Sequence, residues 1–354
     1  MSEPTITNTA DATQADDAAA SHNPAKRIFA SPAGRSIGLM IALLLLVVVG
    51  AITAGDNFMN VNNLLVILRS ASVIGVVSIG VTFVITAGGI DLSVGSVLGL
   101  ASVLASLGAI QTAASGFWPL MVFVAVAGGI LAGLVNGLII AYGNVVAFMA
   151  TLAMLVGARG VAELVSQRHT QIVDNKGFLD FFRADLLGIS WVVWIFAIVA
   201  VLAWFLLNRT TFGRRTVAIG GNATAARLAG VNVKRHTVYL YMLSGATAGI
   251  AATMLLSRTT AGTSTHGQLY ELDAIAAVVV GGTLLVGGRG TIGGTVLGVL
   301  LFQTLTNVFI QNNLSTSVQL VAKGIIIVAA VLLQQRFANR DRGSAKAAPG
   351  GHTA

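Results

Sequence analysis

An all-α membrane protein, a polytopic helical bundle, is the fold class that three features of the sequence predict. Hydrophobic residues fill 55% of the 354 positions and charged residues only 10%, whereas soluble domains carry about 25% charged residues. Apolar runs recur at roughly bilayer-spanning length, and the positive charges gather between those runs. Gly is abundant at 41 residues and Pro scarce at 5, a balance suited to closely packed membrane helices.

Crossing a hydrocarbon core of about 30 Å takes about 20 apolar residues at about 1.5 Å each. Ten runs meet or approach this length: 36–54, 64–86, 93–111, 118–141, 145–165, 188–207, 237–257, 274–287, 292–311 and 317–335. The eighth is short, and only Gly287–Thr291 divides it from the ninth. The expectation is about ten transmembrane helices. Lys26, Arg27, Arg35, the six basic residues of 208–236, Arg289, Arg336, Arg340, Arg342 and Lys346 then fall on one side. Only Arg168, Lys176, Arg183 and Arg258 fall on the other. Basic loops stay cytoplasmic, so both termini are expected there.

Residues 1–35 are polar, with Asp11, Asp16 and Asp17 ahead of the basic group. This reads as an uncleaved, disordered cytoplasmic tail and not as a signal peptide. Residues 36–335 form the membrane domain, with a cytoplasmic loop at 208–236, and 336–354 form a second cytoplasmic tail. Gly128-Gly129 with Gly133 in the fourth run resembles Gly293-Gly294 with Gly298 in the ninth. Asp91-Leu92 opening the third run is matched by Leu272-Asp273 before the eighth. A five-span offset would make a 5+5 inverted repeat.

Motifs for covalent chemistry are absent. No Lys follows a Gly as a Walker A motif needs, and neither H-E-x-x-H nor G-x-S-x-G occurs. Gly288-Arg-Gly290-Thr-Ile-Gly293 fits G-x-G-x-x-G but lies between two apolar helical runs, where a tight turn explains it. With no Cys and five scattered His, no metal site is expected. A net charge of +8 without a basic reading face does not indicate nucleic acid. Small-residue pairs at Gly95/Gly99, Gly129/Gly133, Gly133/Gly137, Gly245/Gly249 and Gly294/Gly298 mark close helix packing.

Thr86-Ala-Gly-Gly-Ile-Asp-Leu-Ser-Val-Gly95 interrupts the apolar pattern with two Gly and an Asp. Asp91 suits an N-cap of the following helix, or the polar floor of a broken, substrate-facing helix. Thr86, Asp91, Ser93, Asn136, Gln303 and Asn307 are the candidates for a polar route through the bundle. Arg159 and Glu163, four apart, suggest an ion pair on one helix face, and Lys323 lies near enough to a span end to snorkel.

The loop 208–236 carries six basic residues and no acid. Within it Asn222 suits an N-cap, Ala223–Ala229 favour helix, and Gly230 suits the C′ position. Two turns of helix need a surface to dock on, either their own bundle or a cytoplasmic partner.

GGIDLSVGS at 88–96, TTFGRRTVAIGGNATAARLAGVNV at 210–233, SGATAGIAA at 244–252 and YELDAIAAVVVGGT at 270–283 resemble the ribose-type permeases of ATP-binding-cassette sugar importers. The resemblance covers roughly residues 36–335. It implies a non-catalytic subunit in a bacterial cell (inner) membrane that pairs with a second copy of itself. A cytoplasmic ATPase would hold ATP and Mg, and a periplasmic or extracellular binding protein would deliver a monosaccharide or polyol. No cofactor is expected in this chain, and its remaining partner is membrane lipid. Asn222, Ala225, Ala226, Arg227, Ala229 and Gly230 would meet the ATPase. The outer loops 166–187 and 258–273, with Arg168, Lys176, Arg183 and Glu271, would meet the binding protein. The alternative is a self-contained, ion-coupled secondary transporter that uses intramembrane carboxylates such as Asp91 and Glu163.

Overall fold

The computed structural model describes residues 32–326 and 328. Most of the predicted tails, 1–31 and 336–354, lie outside the described residues, and residues 32–35 open the first helix. The long helices are α1 (Pro32–Phe58), α2 (Val61–Thr86), α5 (Pro119–Ala141), α6 (Ala147–Ser166), α8 (Trp191–Arg209), α11 (Val233–Thr259) and α13 (Ile292–Gln311). Between them lie α3 (Val94–Ser106), α4 (Gly108–Ala113), α7 (Lys176–Arg183), α9 (Thr211–Gly221), α10 (Ala223–Leu228) and α12 (Tyr270–Val280). A last apolar helix, α14, covers Thr316–Ile326. Among the described residues, seven helices are long and apolar enough to cross a membrane, so the chain is a multi-pass membrane protein.

The third predicted run is two helices, broken at Leu107 between α3 and α4. The sequence reading also passed over two helices in the loops. In α9, Thr210 caps the first turn and Gly213, Thr216 and Ile219 turn inward at helical spacing. In α7, Asn175 caps the start and Phe178 and Phe182 form the buried face. Two short ladders complete the α7 end of the bundle: β1 (Gln171–Ile172) pairs antiparallel with β4 (Ala261–Gly262), and β2 (Asp185–Leu186) with β3 (Ile189–Ser190). Leu187 and Gly188, both with positive φ, make the tight β2–β3 turn.

α11 is the most enclosed long helix, ahead of α2 and α13, and α5 lies along α11 with its backbone nearly touching. A Cβ on Gly133 would meet the carbonyl of Tyr241, and one on Gly245 the carbonyl of Gly129. Gly137 faces Val238 Cα at 2.7 Å from where its Cβ would sit. The seam is therefore glycine against backbone, as the spacing predicts. The glycines of α13 do something different, since Gly294 and Gly298 seat Gly281 and Ala277 of the α12 segment. α13 also packs on α2, where Thr82 Oγ1 and Thr295 Oγ1 lie 2.8 Å apart.

Two of the helical crossings are interrupted. α2 ends at Thr86, and 87–93 is non-helical before α3 begins. α11 ends at Thr259, and the segment before α12 runs antiparallel along α3, with Gly262 against Ser106, His266 against Gly99 and Gly267 against Gly95. The N-termini of α3 and α12 therefore meet deep in the bundle. At the opposite end, Thr86, Gly220 and Gly288 converge: Gly288 N donates to Thr86 O at 2.9 Å, and a Cβ on Gly220 would strike both residues.

Gly245→Val should disrupt the α5–α11 seam and cost about 1–3 kcal/mol or more, the range for overpacked cores. Gly157→Ala, on α6 with open space around it, should be near neutral. Thermal unfolding of the two purified proteins in detergent checks the contrast.

Candidate functional site

The first cluster surrounds the break between α2 and α3. Gly88, at φ +83, takes the chain out of the helix. Asp91 is buried, and its Oδ1 accepts from Ser93 N at 3.0 Å and Ser93 Oγ at 2.6 Å. Its Oδ2 accepts from Ser244 Oγ of α11 at 2.7 Å. Ser93 Oγ accepts from Asn136 Nδ2 of α5 at 2.9 Å. The exposed carbonyl of Ile90 receives Tyr241 Oη at 3.3 Å and Thr151 Oγ1 at 3.4 Å. Asp91 is thus not the N-cap that its position suggested. It closes a turn two residues before the helix and ties three helices to the break. Both its carboxylate oxygens are engaged by serine hydroxyls, which leaves the ion-coupled reading without a free acid here.

The second interruption is held by Arg159 of α6, whose Nη1 donates to the carbonyls of Ser264 and of His266, the latter at 2.8 Å. This corrects the expected Arg159–Glu163 pair: Glu163 instead binds Arg168 at 3.0 Å. Glu271, expected on the outer docking face, is half-buried, with Oε2 against Gly95. Arg168 and Lys176 are exposed as expected, while Arg183 Nε donates to Ser257 O at 3.2 Å.

A cavity of about 350 Å³ lies between α2, α11, α12, α13 and α14. Its polar wall includes Ser70, Tyr270, Gln303, Thr306 and the ion pair of Asp273 with Lys323. Lys323 Nζ lies 3.0 Å from Asp273 Oδ2 and 3.2 Å from Oδ1, with side chains only 15% and 17% exposed. Lys323 therefore turns inward to an acid rather than snorkelling outward. Of the pathway candidates, Gln303 lines this cavity. Asn307 is committed elsewhere, in reciprocal amide bonds with Asn63 at 2.7 and 3.0 Å. Thr86 bonds back to Thr82 O at 2.6 Å. The six candidates form no single site: Asp91, Ser93 and Asn136 form one knot, and the other three lie apart. Tyr270, Asp273 and Thr306 were missed because only the folded chain brings them to Gln303.

The third feature is α10. Asn222 Oδ1 accepts from Ala225 N at 3.0 Å. At the other end Gly230, at φ +82, donates to Arg227 O and Val231 N to Ala226 O, both at 3.0 Å, closing the helix as a Schellman cap. Both predicted caps stand. Ala226 is buried and docks the helix on its own bundle, so it is not a free contact residue. Ala225, Arg227, Ala229 and Gly230 are exposed, and Leu228, unremarked in the sequence, is 86% exposed. α9 carries α10 onto the core: Phe212 packs on Phe83 and on His236 at 6.2 and 4.5 Å between ring centroids, and Thr216 Oγ1 bonds His236 Nε2 at 2.8 Å.

The family model for branched-chain amino acid transport system permease components matches residues 63–331. The chain is 41% identical to the ribose import permease protein RbsC of Bacillus subtilis over 88% of its own length and 96% of that protein. It is 40% identical to RbsC of Escherichia coli K12 over 84% and 92%. The L-arabinose transporter permease protein AraH of Azospirillum brasilense shares 34% identity over 86% and 89%. No solved structure matches the chain. The chain belongs to this family of transport-system permease components.

Removing one member of the Asp273–Lys323 pair leaves the other poorly solvated. Asp273→Asn or Lys323→Gln alone should destabilise by up to about 3 kcal/mol, and the double variant should recover most of that loss. A thermal-stability double-mutant cycle in detergent measures the difference.

Proposed function

We propose that this member of the permease family is the membrane subunit of an ATP-binding-cassette importer for a monosaccharide or related polyol. The relatives named for ribose and arabinose support the substrate class. The observation that carries the mechanism is α10, capped at both ends and exposed at Arg227, Leu228 and Ala229. A separate ATPase, with its own ATP and Mg, presses on this helix. The motion passes through α9 to the Thr86–Gly220–Gly288 contact and thence to the break held by Asp91. No covalent chemistry is asked of this chain.

In this reading α3, α12 and α14 join the seven long helices to make ten crossings, with both termini and α10 in the cytoplasm of a bacterial cell. The α7 end faces the periplasm or exterior, where a binding protein delivers the solute against Arg168 and Lys176. A second copy completes the pathway. The 5+5 inverted repeat draws support from the two interrupted crossings, whose breaks lie at opposite ends while their helix N-termini meet at Gly95 and Gly267. The cavity lined by Ser70, Tyr270, Gln303 and Thr306 supplies hydroxyl, amide and aromatic surface for a neutral polyol.

Gly230→Pro removes the capping N–H and cannot adopt positive φ; Arg227→Glu and Leu228→Asp alter only the exposed face. All three should abolish sugar-stimulated ATP hydrolysis by the reconstituted complex while the protein still reaches the membrane. Coupled turnover at wild-type rates in these variants would remove α10 from the mechanism.

A further inference from the structure

A second cavity, of about 330 Å³, opens at the α7 end between α2, α7, α8 and α11, and three arginines line it: Arg69, Arg183 and Arg258. They come from three helices far apart in sequence. Their partners are almost all neutral. Arg183 donates to Ser257 O, and Arg258 donates to Arg69 O at 3.3 Å and to Ser70 Oγ at 3.2 Å. Arg69 Nε is buried with no partner. The nearest carboxylate is Asp185, 3.6 Å from Arg69 Nη2, and half-exposed. Asp273, across Arg258 in the neighbouring cavity, is taken by Lys323. Three guanidiniums therefore share one loose acid. Arg183 and Arg258 are exposed and Arg69 is 37% exposed, so the three open onto their surroundings; grouped cations call for an anion, and guanidinium forks fit tetrahedral oxyanions best.

The surroundings indicate where that anion comes from. Trp118, Phe181 and Trp191 stack at 4.6 and 5.4 Å beside the cavity, and Trp194 donates to Leu186 O at 3.1 Å. Such aromatic groups sit at headgroup level, and Phe182 and Ser190 of the cavity wall are their chain neighbours. On its outer side, Leu64 and the wall residue Val66 of α2 are 54% and 48% exposed, as apolar surface facing lipid would be.

We propose that Arg69, Arg183 and Arg258 form a binding site for the phosphate of an anionic phospholipid. This requires only that the chain lies in a bilayer, so it can fail without the transport reading failing. The test uses the full chain in nanodiscs of phosphatidylcholine with and without phosphatidylglycerol, read by thermal shift and by native mass spectrometry of retained lipid. Wild type should be stabilised by phosphatidylglycerol and retain it. Arg69→Gln/Arg258→Gln should lose about tenfold or more in lipid affinity, equivalent to ~1.4 kcal/mol. Arg168→Gln, on an exposed residue paired elsewhere, should behave as wild type, and Arg258→Lys should retain part of the response. Equal stabilisation of wild type by the two lipids would overturn the site, and so would equal retention by the double variant. If inorganic phosphate alone matched phosphatidylglycerol on wild type, the site would be for a free anion and the lipid assignment would be wrong. Unchanged lipid preference with lost binding-protein docking in the double variant would assign the arginines to a protein carboxylate and reject the proposal.

Discussion

A peptide group stripped of its helical partner inside a membrane must find another one, because water is not there to supply it. Two crossings in this protein are broken, and much of the remaining polar architecture answers that requirement. At the first break, Asp91 accepts Ser93 N–H and draws in Ser244, while Tyr241 and Thr151 reach the Ile90 carbonyl. At the second, Arg159 donates to the Ser264 and His266 carbonyls. The glycines have the same origin. A Cβ at Gly95 or Gly99 would strike the turn segment leading to α12, which lies directly on them.

The two breaks differ in what they connect. The break at 87–93 abuts Gly220 near the end of α9, only three residues before the start of α10 at Ala223. The break before α12 abuts the α7 end through the β1–β4 ladder. Each end of the molecule therefore touches a non-helical segment that side chains of neighbouring helices help to hold. Such segments can change partners without unwinding a helix. The glycine seam between α5 and α11 offers no such freedom, since any rotation drives backbone into backbone. In the proposed mechanism, motion enters at the breaks and not at the seam.

What was legible in the sequence followed from local chemistry. Asn222 and Gly230 announce the ends of α10 because caps act over three or four residues. The Gly-x-x-x-Gly spacings announce close approach, and the Gly-Gly-Ile-Asp run announces a break. The helix α9 was missed because Gly213, Gly220 and the β-branched Thr and Val residues lower its intrinsic propensity; burial of Gly213, Thr216 and Ile219 stabilises it instead. The partners of Arg159 and Lys323 lie 107 and 50 residues distant in chain order, and no local pattern encodes such pairings. Reading Arg159 with Glu163 was a helix-spacing argument overtaken by an unsatisfied carbonyl across the bundle.

Charge is distributed to the same end. The polar cavity holds Asp273 against Lys323, two charges that cancel at 3.0 Å. Arg258, on its rim, turns its guanidinium towards Arg69 and Ser70. The space beside Gln303, Tyr270 and Thr306 is therefore polar, with the guanidinium of Arg258 the charge on its wall that lies outside the ion pair. A neutral, hydroxyl-rich solute exchanges water for such donors and acceptors at small cost, whereas an ion would meet partners already committed to each other. Arg69 and Arg183 belong to the cavity at the aromatic level, while Arg258 lies on the walls of both. In the proposed reading, Arg258 on the walls of both cavities sets a bound lipid phosphate within a few side chains of the route for an uncharged solute.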